Sequence, residues 1–309
     1  MIPNDYDFDV IVYGTVCLDL IWRVDQLAAP GGYESITHER RMIGGEAANT
    51  AIALSRWGLK IALVGTAMGD DDDGRLLRRL FDDLGSTIDL SRVEMQPGLQ
   101  TPFCACIATP DGHRTMYGIG FTNMHVPRLD HEFARTARFF TMDPNAYNAG
   151  LAACAVAAEA GAEVVAMDYT RSPEVNRAAA ISVTSHEHVK AGAPLPTYAD
   201  YAAEIRDRDG CTAIVTCGED GCFVAERGAA GNPAMRVPAY RIDDIVDSTG
   251  CGDIFRAGLI YGSLQAWDLG TTARFASAAA GLNCREMGGW GGVRSVEEIR
   301  EFQRQQDLW

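Results

Sequence analysis

Short apolar, β-branched runs alternate with helical segments along most of this 309-residue chain, and no other feature constrains its fold as strongly. Residues 8–14 (FDVIVYG) predict a buried strand, and residues 46–58 (EAANTAIALSRWG) predict a helix that ends at Gly58. Further strands are predicted at 60–69, 137–143, 163–169, 180–185 and 212–218, and further helices at 70–85, 149–161, 174–180 and 197–209. This alternation predicts an α/β fold with a mostly parallel sheet and helices on both faces.

Two segments interrupt the alternation. Residues 33–43 (YESITHERRMI) alternate apolar and polar side chains, and residues 101–120 predict two short strands around a Pro-Asp-Gly turn. Both are expected to form antiparallel strands in a small sheet outside the main one. Because no repeat, low-complexity segment or linker divides the chain, residues 1–309 are predicted to form a single domain.

Composition narrows the classes of function. The formal net charge of −15 argues against a nucleic-acid partner. No apolar run approaches the ~20 residues that span a bilayer, so no membrane association is expected. The N-terminal sequence MIPNDYDFDV lacks the features of a signal peptide, and we expect a cytoplasmic protein. The nine cysteines contain no CxxC pair, and we expect them to be buried and reduced rather than zinc ligands or disulfides.

The segment 247–262 (DSTGCGDIFRAGLIYG) carries the strongest chemical signal. Gly250 and Gly252 precede an apolar helical period that begins at Ile254, so a glycine-rich turn opens a helix. Such a turn can direct several backbone N–H groups at one anion, and the helix dipole adds positive potential. Asp253 lies where a general base would serve a nucleophile attacking phosphorus. The alternative is that Asp253 only caps the helix and the glycines only form a tight turn.

Four motifs, in order along nearly the whole chain, resemble those of the ribokinase-type (PfkB) carbohydrate kinases. Residues 247–258 are similar to the C-terminal signature D-T-x-G-A-G-D-x-F-x-x-G, and residues 44–58 are similar to the N-terminal signature. VGTAMGDDDDG resembles the family's V-G-x-D-x-x-G segment, and IVTCGEDGCFV resembles its nucleotide-side T-x-G-x-x-G turn. The resemblance implies a ribokinase-like three-layer α/β/α domain with a small β-sheet lid, formed by segments near 15–43 and 100–121.

The resemblance also implies a role for individual residues, although each could instead be structural. Asp253 would deprotonate the acceptor hydroxyl, and the backbone N–H groups of Gly250, Cys251 and Gly252 would form the anion hole. The acceptor side would comprise Asp19, Gly44, Gly45 and Asn49, and the ATP side Thr216, Gly218, Gly221, Thr249 and Asn283. Asp247, with Thr249, matches positions that in some members help to bind a monovalent cation, here K⁺. The implied reaction transfers the γ-phosphoryl group of ATP to a hydroxyl of a sugar or sugar-like molecule.

Three departures from the family pattern affect these roles. Cys251 replaces the usual alanine, but only its backbone is needed. Cys17 stands where many members have an asparagine that contacts the sugar, so the acceptor need not be ribose. The N-x-x-E segment, which helps to organise Mg²⁺ through water, is AISVTSHEHVKAG. If Ser185 takes the asparagine position, His188 stands where the family has glutamate. A shift of the alignment by one residue places Glu187 there instead, and we assign Glu187 to the metal.

The acceptor is the least defined partner. Asp143, Asn145 and Arg171 follow predicted core strands at the edge where open α/β sheets bind ligands, and they are candidates for acceptor contacts. A sugar is favoured over a nucleoside because no aromatic clamp for a base is evident. A nucleoside kinase and a catalytically weakened kinase-fold protein that binds a ligand remain open alternatives. A dinucleotide-binding dehydrogenase would need a G-x-G-x-x-G after the first strand, which this chain lacks.

The lid segments also suggest an assembly. Their strands carry apolar side chains on faces and edges outside the main sheet: Phe103, Ile107, Met116, Tyr117 and Ile119. Exposed strand edges with apolar faces favour pairing with a second chain. The sequence therefore predicts a homodimer formed through the lid.

Overall fold

The fold is taken from a computed structural model that describes residues 6–110, 114–122, 124–190 and 192–306. The strands in these ranges are β1 (Phe8–Gly14), β2 (Cys17–Val24), β3 (Ile36–Gly44), β4 (Ile61–Gly65), β5 (Met68–Gly69), β6 (Ile88–Arg92), β7 (Met95–Gln96), β8 (Phe103–Ala108), β9 (Arg114–Ile119), β10 (Ala137–Met142), β11 (Glu163–Met167), β12 (Ala179–Ser185), β13 (Thr212–Thr216), β14 (Cys222–Ala225) and β15 (Met235–Val237). The helices are α1 (Glu46–Arg56), α2 (Asp72–Asp83), α3 (His131–Ala134), α4 (Tyr147–Glu159), α5 (Pro173–Ala178), α6 (His186–Lys190), α7 (Leu195–Asp209), α8 (Cys251–Leu264), α9 (Leu269–Asn283) and α10 (Val296–Gln306).

The main sheet has nine strands in the order β15-β14-β13-β12-β11-β10-β1-β4-β6. Every neighbouring pair from β6 to β13 is parallel, and β14 and β15 are added antiparallel at one edge. The predicted mostly parallel sheet is confirmed. Because the strands run the same way, their carboxyl ends meet at one edge, where ligands bind in open α/β sheets.

Helices cover both faces of this sheet, as the alternating side chains of β1 illustrate. Val10 and Val12 pack in a core that includes residues of α1, α8 and α9. Ile11 and Tyr13 point the other way, into a core shared with α4. Successive strand side chains face opposite sides, so a strand that is apolar at every position must be covered twice. The predicted three-layer α/β/α architecture is confirmed.

Local signals in the sequence place α1 and α2. Gly58 follows α1 with a φ of 85°, and the N–H of Leu59 donates to the carbonyl of Leu54, so the glycine ends this helix as predicted. Asp71 caps α2 by accepting from the N–H of Gly74 at 2.8 Å. Its carboxylate also accepts from the Thr101 hydroxyl at 2.6 Å and therefore links α2 to the segment that leads into β8.

The two interrupting segments form a separate four-stranded sheet in the order β3-β2-β8-β9. The β2–β3 and β8–β9 pairs are antiparallel, as expected, but the central β2–β8 pair is parallel. Both central strands begin side by side, where the N–H of Leu18 donates to the carbonyl of Pro102, and therefore run in the same direction. The predicted Pro-Asp-Gly turn includes residues 111 and 112, which lie outside the described residues.

The assignment of 1–309 to a single domain, with 15–43 and 100–121 as a lid, stays a prediction. Among the helices within the described ranges, none combines the length and apolar character that a membrane span requires.

Candidate active site

The predicted glycine turn opens α8. Gly250 is the N-cap with a φ of 73°, a left-handed conformation that favours glycine, and a Cβ there would collide with the backbone of Gly289. The N–H groups of Cys251, Gly252 and Asp253 lie in the first turn of α8, where a helix offers them no acceptor of its own, and the Cys251 N–H makes a long hydrogen bond of 3.4 Å to the Ser248 carbonyl. Together with the helix dipole, they form a site suited to a phosphoryl oxygen.

Asp253 joins this turn to the N-terminal signature. The Asn49 amide Nδ2 donates to Asp253 Oδ2 at 2.8 Å, and Arg256 Nη2 lies 3.4 Å from Asp253 Oδ1. Asp253 is 4% exposed. A buried carboxylate that is oriented by fixed donors and adjoins an anion site can take the proton of a hydroxyl bound there.

The surroundings of Asp253 also set its proton affinity. Burial raises the pKa of Asp253 to about 7, because the carboxylate loses hydration when it is removed from water. The positive charge of Arg256 and the hydrogen bond from Asn49 act in the opposite direction and lower this pKa. A base with a pKa near the operating pH combines a substantial ionised fraction with good proton affinity, as general-base catalysis requires.

Arg256 connects three elements around the site. Its fully buried guanidinium donates to Thr50 Oγ1 at 2.7 Å, to the Met142 carbonyl at 2.9 Å and to the Glu46 carbonyl at 2.8 Å. The acceptors belong to α1 and β10, whereas Arg256 belongs to α8. The sequence analysis missed this residue, although an arginine in a helical run whose neighbouring side chains are apolar is a signal that could have identified it.

Two buried oxygens in the same region have no hydrogen-bond partner among the described residues. They are Asn49 Oδ1 and Glu46 Oε2. The other Glu46 oxygen accepts from Asn145 Nδ2 at 3.0 Å. Burial, reinforced by the nearby negative charge of Asp253, raises the pKa of Glu46 well above its usual range. Buried polar atoms without partners are costly, so Asn49 Oδ1 suits a ligand that brings a hydroxyl or N–H donor, and the Glu46 carboxyl, when protonated, can donate to a ligand hydroxyl or accept from it. Glu46 was not among the residues predicted from the sequence motifs.

The glycines of the N-terminal signature make room for polar groups. A Cβ at Gly44 would collide with the Asp19 carboxylate, and a Cβ at Gly45, whose φ is 96°, would collide with the backbone of Thr15. Asp19 is buried and accepts from Cys17 Sγ at 3.3 Å, and burial raises the pKa of Asp19 to about 7. The structure brings Asp19 and Gly44 together, and their contact with an acceptor stays a prediction.

Asp143 was proposed as an acceptor contact because it follows a core strand, and both of its carboxylate oxygens accept hydrogen bonds from the protein. Its Oδ2 accepts from the N–H groups of Thr15 at 2.6 Å and Ala47 at 3.2 Å. Its Oδ1 accepts from the Thr15 hydroxyl at 3.1 Å and the Asn145 N–H at 3.0 Å. These hydrogen bonds hold the loop after β1 against the start of α1, and a contact of Asp143 with an acceptor stays a prediction. The two other residues proposed from strand ends, Asn145 and Arg171, are exposed. Asn145 donates to Glu46 at 3.0 Å and Arg171 to the carbonyl of His188 at 2.8 Å, and their contact with an acceptor stays a prediction.

Three of the five predicted nucleotide residues line a mostly apolar cavity of about 320 Å³ beside the glycine turn, and Thr249 and Asn283 are not among its lining residues. Thr216, Gly218 and Gly221 form one side, and Gly221 has a φ of 91° and no room for a Cβ against the Val237 carbonyl. The lining also includes Ala239, Tyr240, Ile242, Ile245, Phe255, Ala280, Cys251 and Cys284. A cavity of this kind suits the planar base of a nucleotide whose phosphates point at the start of α8.

Asp247, Thr249 and Asn283 hold the turn in place. Asp247 Oδ1 accepts from the Thr249 N–H at 2.8 Å and hydroxyl at 2.6 Å, and Oδ2 accepts from the Gly288 N–H at 2.8 Å. The Asn283 amide donates to the carbonyls of Thr249 at 3.3 Å and Gly289 at 3.2 Å. The loop 287–292 (MGGWGG), which the sequence analysis missed, therefore packs against the turn. Its four glycines were the available signal.

The altered N-x-x-E segment lies beside the carboxyl end of β11. His188 Nδ1 lies 3.1 Å from Asp168 Oδ1, although 63% of the His188 side chain is exposed, and the Glu187 side chain is exposed as well. The assignment of Glu187 to the metal stays a prediction. Asp168 has a φ of 61°, a strained conformation for a non-glycine residue, and also accepts from the Thr184 hydroxyl at 2.7 Å. The sequence analysis did not identify Asp168. Among the described residues, no cluster of three or more His, Cys, Asp or Glu side chains forms a metal cage.

The small sheet contacts this site directly. Arg114 Nη1, at the start of β9, donates to Ser248 Oγ at 2.7 Å. The Cys106 thiol, in β8, lies 3.6 Å from the Thr249 hydroxyl. On the β3 side, Arg40 Nη1 donates to the Met287 carbonyl at 3.3 Å. The sheet therefore reaches the residues that precede Asp253 as well as the glycine-rich loop behind them.

Comparison with known proteins agrees with this geometry. The family model described as pfkB family carbohydrate kinase matches residues 7–293. A nucleoside kinase of Methanothermobacter thermautotrophicus is 26% identical, with 91% of each chain covered. An ATP-dependent ribose-1-phosphate kinase of Halopiger xanaduensis is 29% identical, with 90% of this chain and 93% of that protein covered. The structure of Arabidopsis thaliana ribokinase complexed with ribose and ATP has a TM-score of 0.77 at 18% identity, covering 96% of this chain and 98% of that one. The chain belongs to the pfkB family of carbohydrate kinases.

Proposed function

We propose that the protein transfers the γ-phosphoryl group of ATP to a hydroxyl of a sugar or sugar-like molecule, with Asp253 as the general base. The observation that carries this proposal is the buried Asp253 carboxylate at the start of α8, held by Asn49 at 2.8 Å. It combines a proton acceptor with an anion site within one helical turn.

In the proposed reaction, the acceptor hydroxyl gives its proton to Asp253 while its oxygen forms a bond to the γ-phosphorus. The bond from that phosphorus to the β–γ bridging oxygen breaks, and its electron pair leaves with ADP. The N–H groups of Cys251 and Gly252 would stabilise the charge on the transferred group. The small sheet would act as a lid that excludes water, supported by the contact of Arg114 with Ser248.

Asp168 fits Mg²⁺ better than Glu187 does. All hydrogen bonds described for the Asp168 carboxylate go to Oδ1, which leaves Oδ2 for a water on the metal. We assign Mg²⁺ to this strand end, where it would neutralise charge on the ATP phosphates. A role for K⁺ near Asp247 and Thr249 stays a prediction, because the side-chain oxygens of Asp247 already accept from Thr249 and Gly288.

The acceptor that this site favours is uncharged and rich in hydroxyl groups. The partnerless oxygens of Glu46 and Asn49 favour a ligand that carries hydroxyl groups. An acceptor phosphate placed beside the ionised Asp253 carboxylate would be repelled. A nucleoside is the second candidate, because the nucleoside kinase of M. thermautotrophicus is 26% identical to this chain. A ligand-binding protein without turnover is the third, because Glu187 is exposed and His188 stands beside Asp168.

The test is ADP release from Mg-ATP with pentoses, hexoses, sugar phosphates and nucleosides. We expect one uncharged acceptor to stimulate turnover and Asp253→Asn to lose it by two orders of magnitude or more. The control Asp243→Asn removes an exposed aspartate that pairs with Arg241 and should keep full activity. ATP binding, measured by calorimetry, separates the alternatives. Binding without turnover on any acceptor supports the ligand-binding protein, and absence of ATP binding would contradict the proposal.

We also propose a homodimer formed through the lid and a cytoplasmic location. Met116, Tyr117 and Ile119 are exposed on β9, which is an edge strand of the small sheet. If light scattering at micromolar protein concentration shows only the mass of a monomer, the proposed homodimer is wrong. The nine cysteines, none of which is in a disulfide, agree with a reducing compartment.

A further inference from the structure

Two cysteine thiols meet at the glycine turn. Cys251 Sγ lies 2.9 Å from Cys284 Sγ, although the residues are 33 positions apart. Cys251 is the first residue of α8, and Cys284 directly follows α9. Both are partly exposed and line the cavity assigned to the nucleotide, whereas six of the other seven cysteines are buried.

The backbone around the two thiols is close-packed. A Cβ at Gly258 of α8 would collide with the backbone of Ala276 in α9, so these helices approach closely along their contact. The Cys284 carbonyl accepts from the N–H of Val246 at 2.8 Å and of Asp247 at 3.1 Å, which ties it to the segment before the turn. A disulfide needs sulfurs about 2.05 Å apart, so a shift of about 0.9 Å would join them.

The chemistry of the pair favours a two-electron oxidation. Cys284, whose sulfur lies 2.9 Å from that of Cys251, can supply the first nucleophile. Its thiolate would attack a hydroperoxide oxygen, forming a sulfenic acid and releasing water or an alcohol once the leaving oxygen is protonated. The Cys251 sulfur would then attack the sulfenic sulfur, forming the S–S bond and releasing water. In total, two thiols are oxidised, one hydroperoxide is reduced, and a dithiol reductant reverses the change.

We propose that Cys251 and Cys284 form an oxidisable dithiol, and that their disulfide switches off phosphoryl transfer. Cys251 is the first residue of α8, so pulling it toward the end of α9 displaces the turn whose N–H groups, in the proposed function, bind the transferred group. A misplacement of about 1 Å at such a site lowers the rate on the order of a hundredfold. A nucleotide in the adjoining cavity shields both thiols and protects them from oxidation.

The first test is chemical and does not depend on turnover. The reduced protein is treated with a few equivalents of hydrogen peroxide, with and without ADP, and then alkylated and analysed by mass spectrometry. We expect a loss of two hydrogens, two thiols fewer per chain, and one cross-linked pair of peptides containing Cys251 and Cys284, with slower formation in ADP. No cross-link between these two residues, or a cross-link to another cysteine, would overturn the proposal.

The second test measures the switch. Each protein is compared with its own reduced form, so a change in basal activity does not affect the result. Oxidation should lower the ADP release of the wild type more than tenfold, with recovery in dithiothreitol, whereas Cys284→Ala should lose this sensitivity. Cys104→Ser, which removes the other partly exposed cysteine, should respond as the wild type does. If Cys284→Ala does not fold, Cys251→Ala tests the same point. If the wild type forms the Cys251–Cys284 disulfide and keeps its activity, the proposed inhibition by this disulfide is wrong.

Discussion

The amide of Asn49 donates to the carboxylate of Asp253 at 2.8 Å and thereby joins two signature motifs that lie 204 residues apart. The amide holds the carboxylate in one orientation and stabilises its ionised form, because its hydrogen bond lowers the pKa of Asp253. The side-chain oxygen of Asn49, Oδ1, is also buried and has no hydrogen-bond partner among the described residues. Asn49 can therefore orient the base and contact the acceptor at once.

Asn49→Ala should consequently move the pH dependence of the reaction. A hydrogen bond to a charged group contributes about 1.5–3 kcal/mol, so its loss should raise the pKa of Asp253 by about one unit or more. The acid limb of kcat/KM moves to higher pH by the same amount. Asn145→Ala is the control, because its amide contacts Glu46 rather than Asp253. An unchanged acid limb in Asn49→Ala would show that the amide does not tune the base.

The wild-type enzyme should lose activity as the pH falls through about 7. The pKa of Asp253 is raised to about 7 by burial, and the base must be ionised to take a proton. Below that pH, kcat/KM should fall about tenfold per unit, and above it the profile should level off. The measurement is kcat/KM between pH 5 and 9 at constant ionic strength. A profile that stays flat down to pH 5 contradicts Asp253 as a base with this pKa.

Asp253→Asn should stabilise the fold at alkaline pH even though it abolishes activity. In the unfolded chain this carboxyl has its usual pKa of 3.8, whereas in the folded chain the pKa is about 7. Between these values the folded state holds a proton that the unfolded state releases, so the contribution of Asp253 to stability falls as the pH rises through this window. Above pH 7 the buried charge destabilises the fold by an amount on the order of a few kcal/mol.

The measurement is urea unfolding of both proteins at pH 4.5 and pH 8.5. The mutant should gain stability relative to the wild type mainly at pH 8.5. An equal difference at both pH values would mean that the ionised carboxylate is not destabilising, and that Arg256 and Asn49 compensate its burial fully.

Arg256→Met should destabilise the protein and weaken the base together. The guanidinium is fully buried and satisfies the carbonyls of Met142 and Glu46, which the mutant leaves without this donor. Removing one partner from a buried charge network costs about 3–5 kcal/mol. The loss of positive charge near Asp253 also raises its pKa, so the acid limb of kcat/KM should move upward. Arg300→Met removes an arginine that stacks on Trp267, away from Asp253, and should leave the limb in place.

The sequence predicted the parts of the site that depend on local backbone conformation. Gly250 and Gly45 have positive φ values that favour glycine, so they mark the turn and the start of α1 without any structure. Residues that act through long-range contacts leave a weaker signal. Glu46 and Arg256 meet only because α1 and α8 pack together, and the hydrogen bonds that Asp143 accepts from Thr15 and Ala47 do not follow from its position at a strand end. His188 and Asp168 follow different strands, and their spacing along the chain does not reveal that the two side chains lie 3.1 Å apart.

Arg114→Ala tests whether the small sheet takes part in turnover. Arg114 Nη1 donates to Ser248 Oγ at 2.7 Å and so attaches β9 to the segment that leads into the glycine turn. Its side chain is exposed, so the mutation should leave the free energy of unfolding unchanged within about 0.5 kcal/mol. If the sheet closes over the acceptor, loss of this contact should lower kcat several-fold and increase hydrolysis of ATP in the absence of acceptor. Arg41→Ala is the matched control, because that exposed arginine pairs with Glu39 on its own strand. Equal kinetics for both mutants would show that the Arg114–Ser248 contact does not contribute to closure.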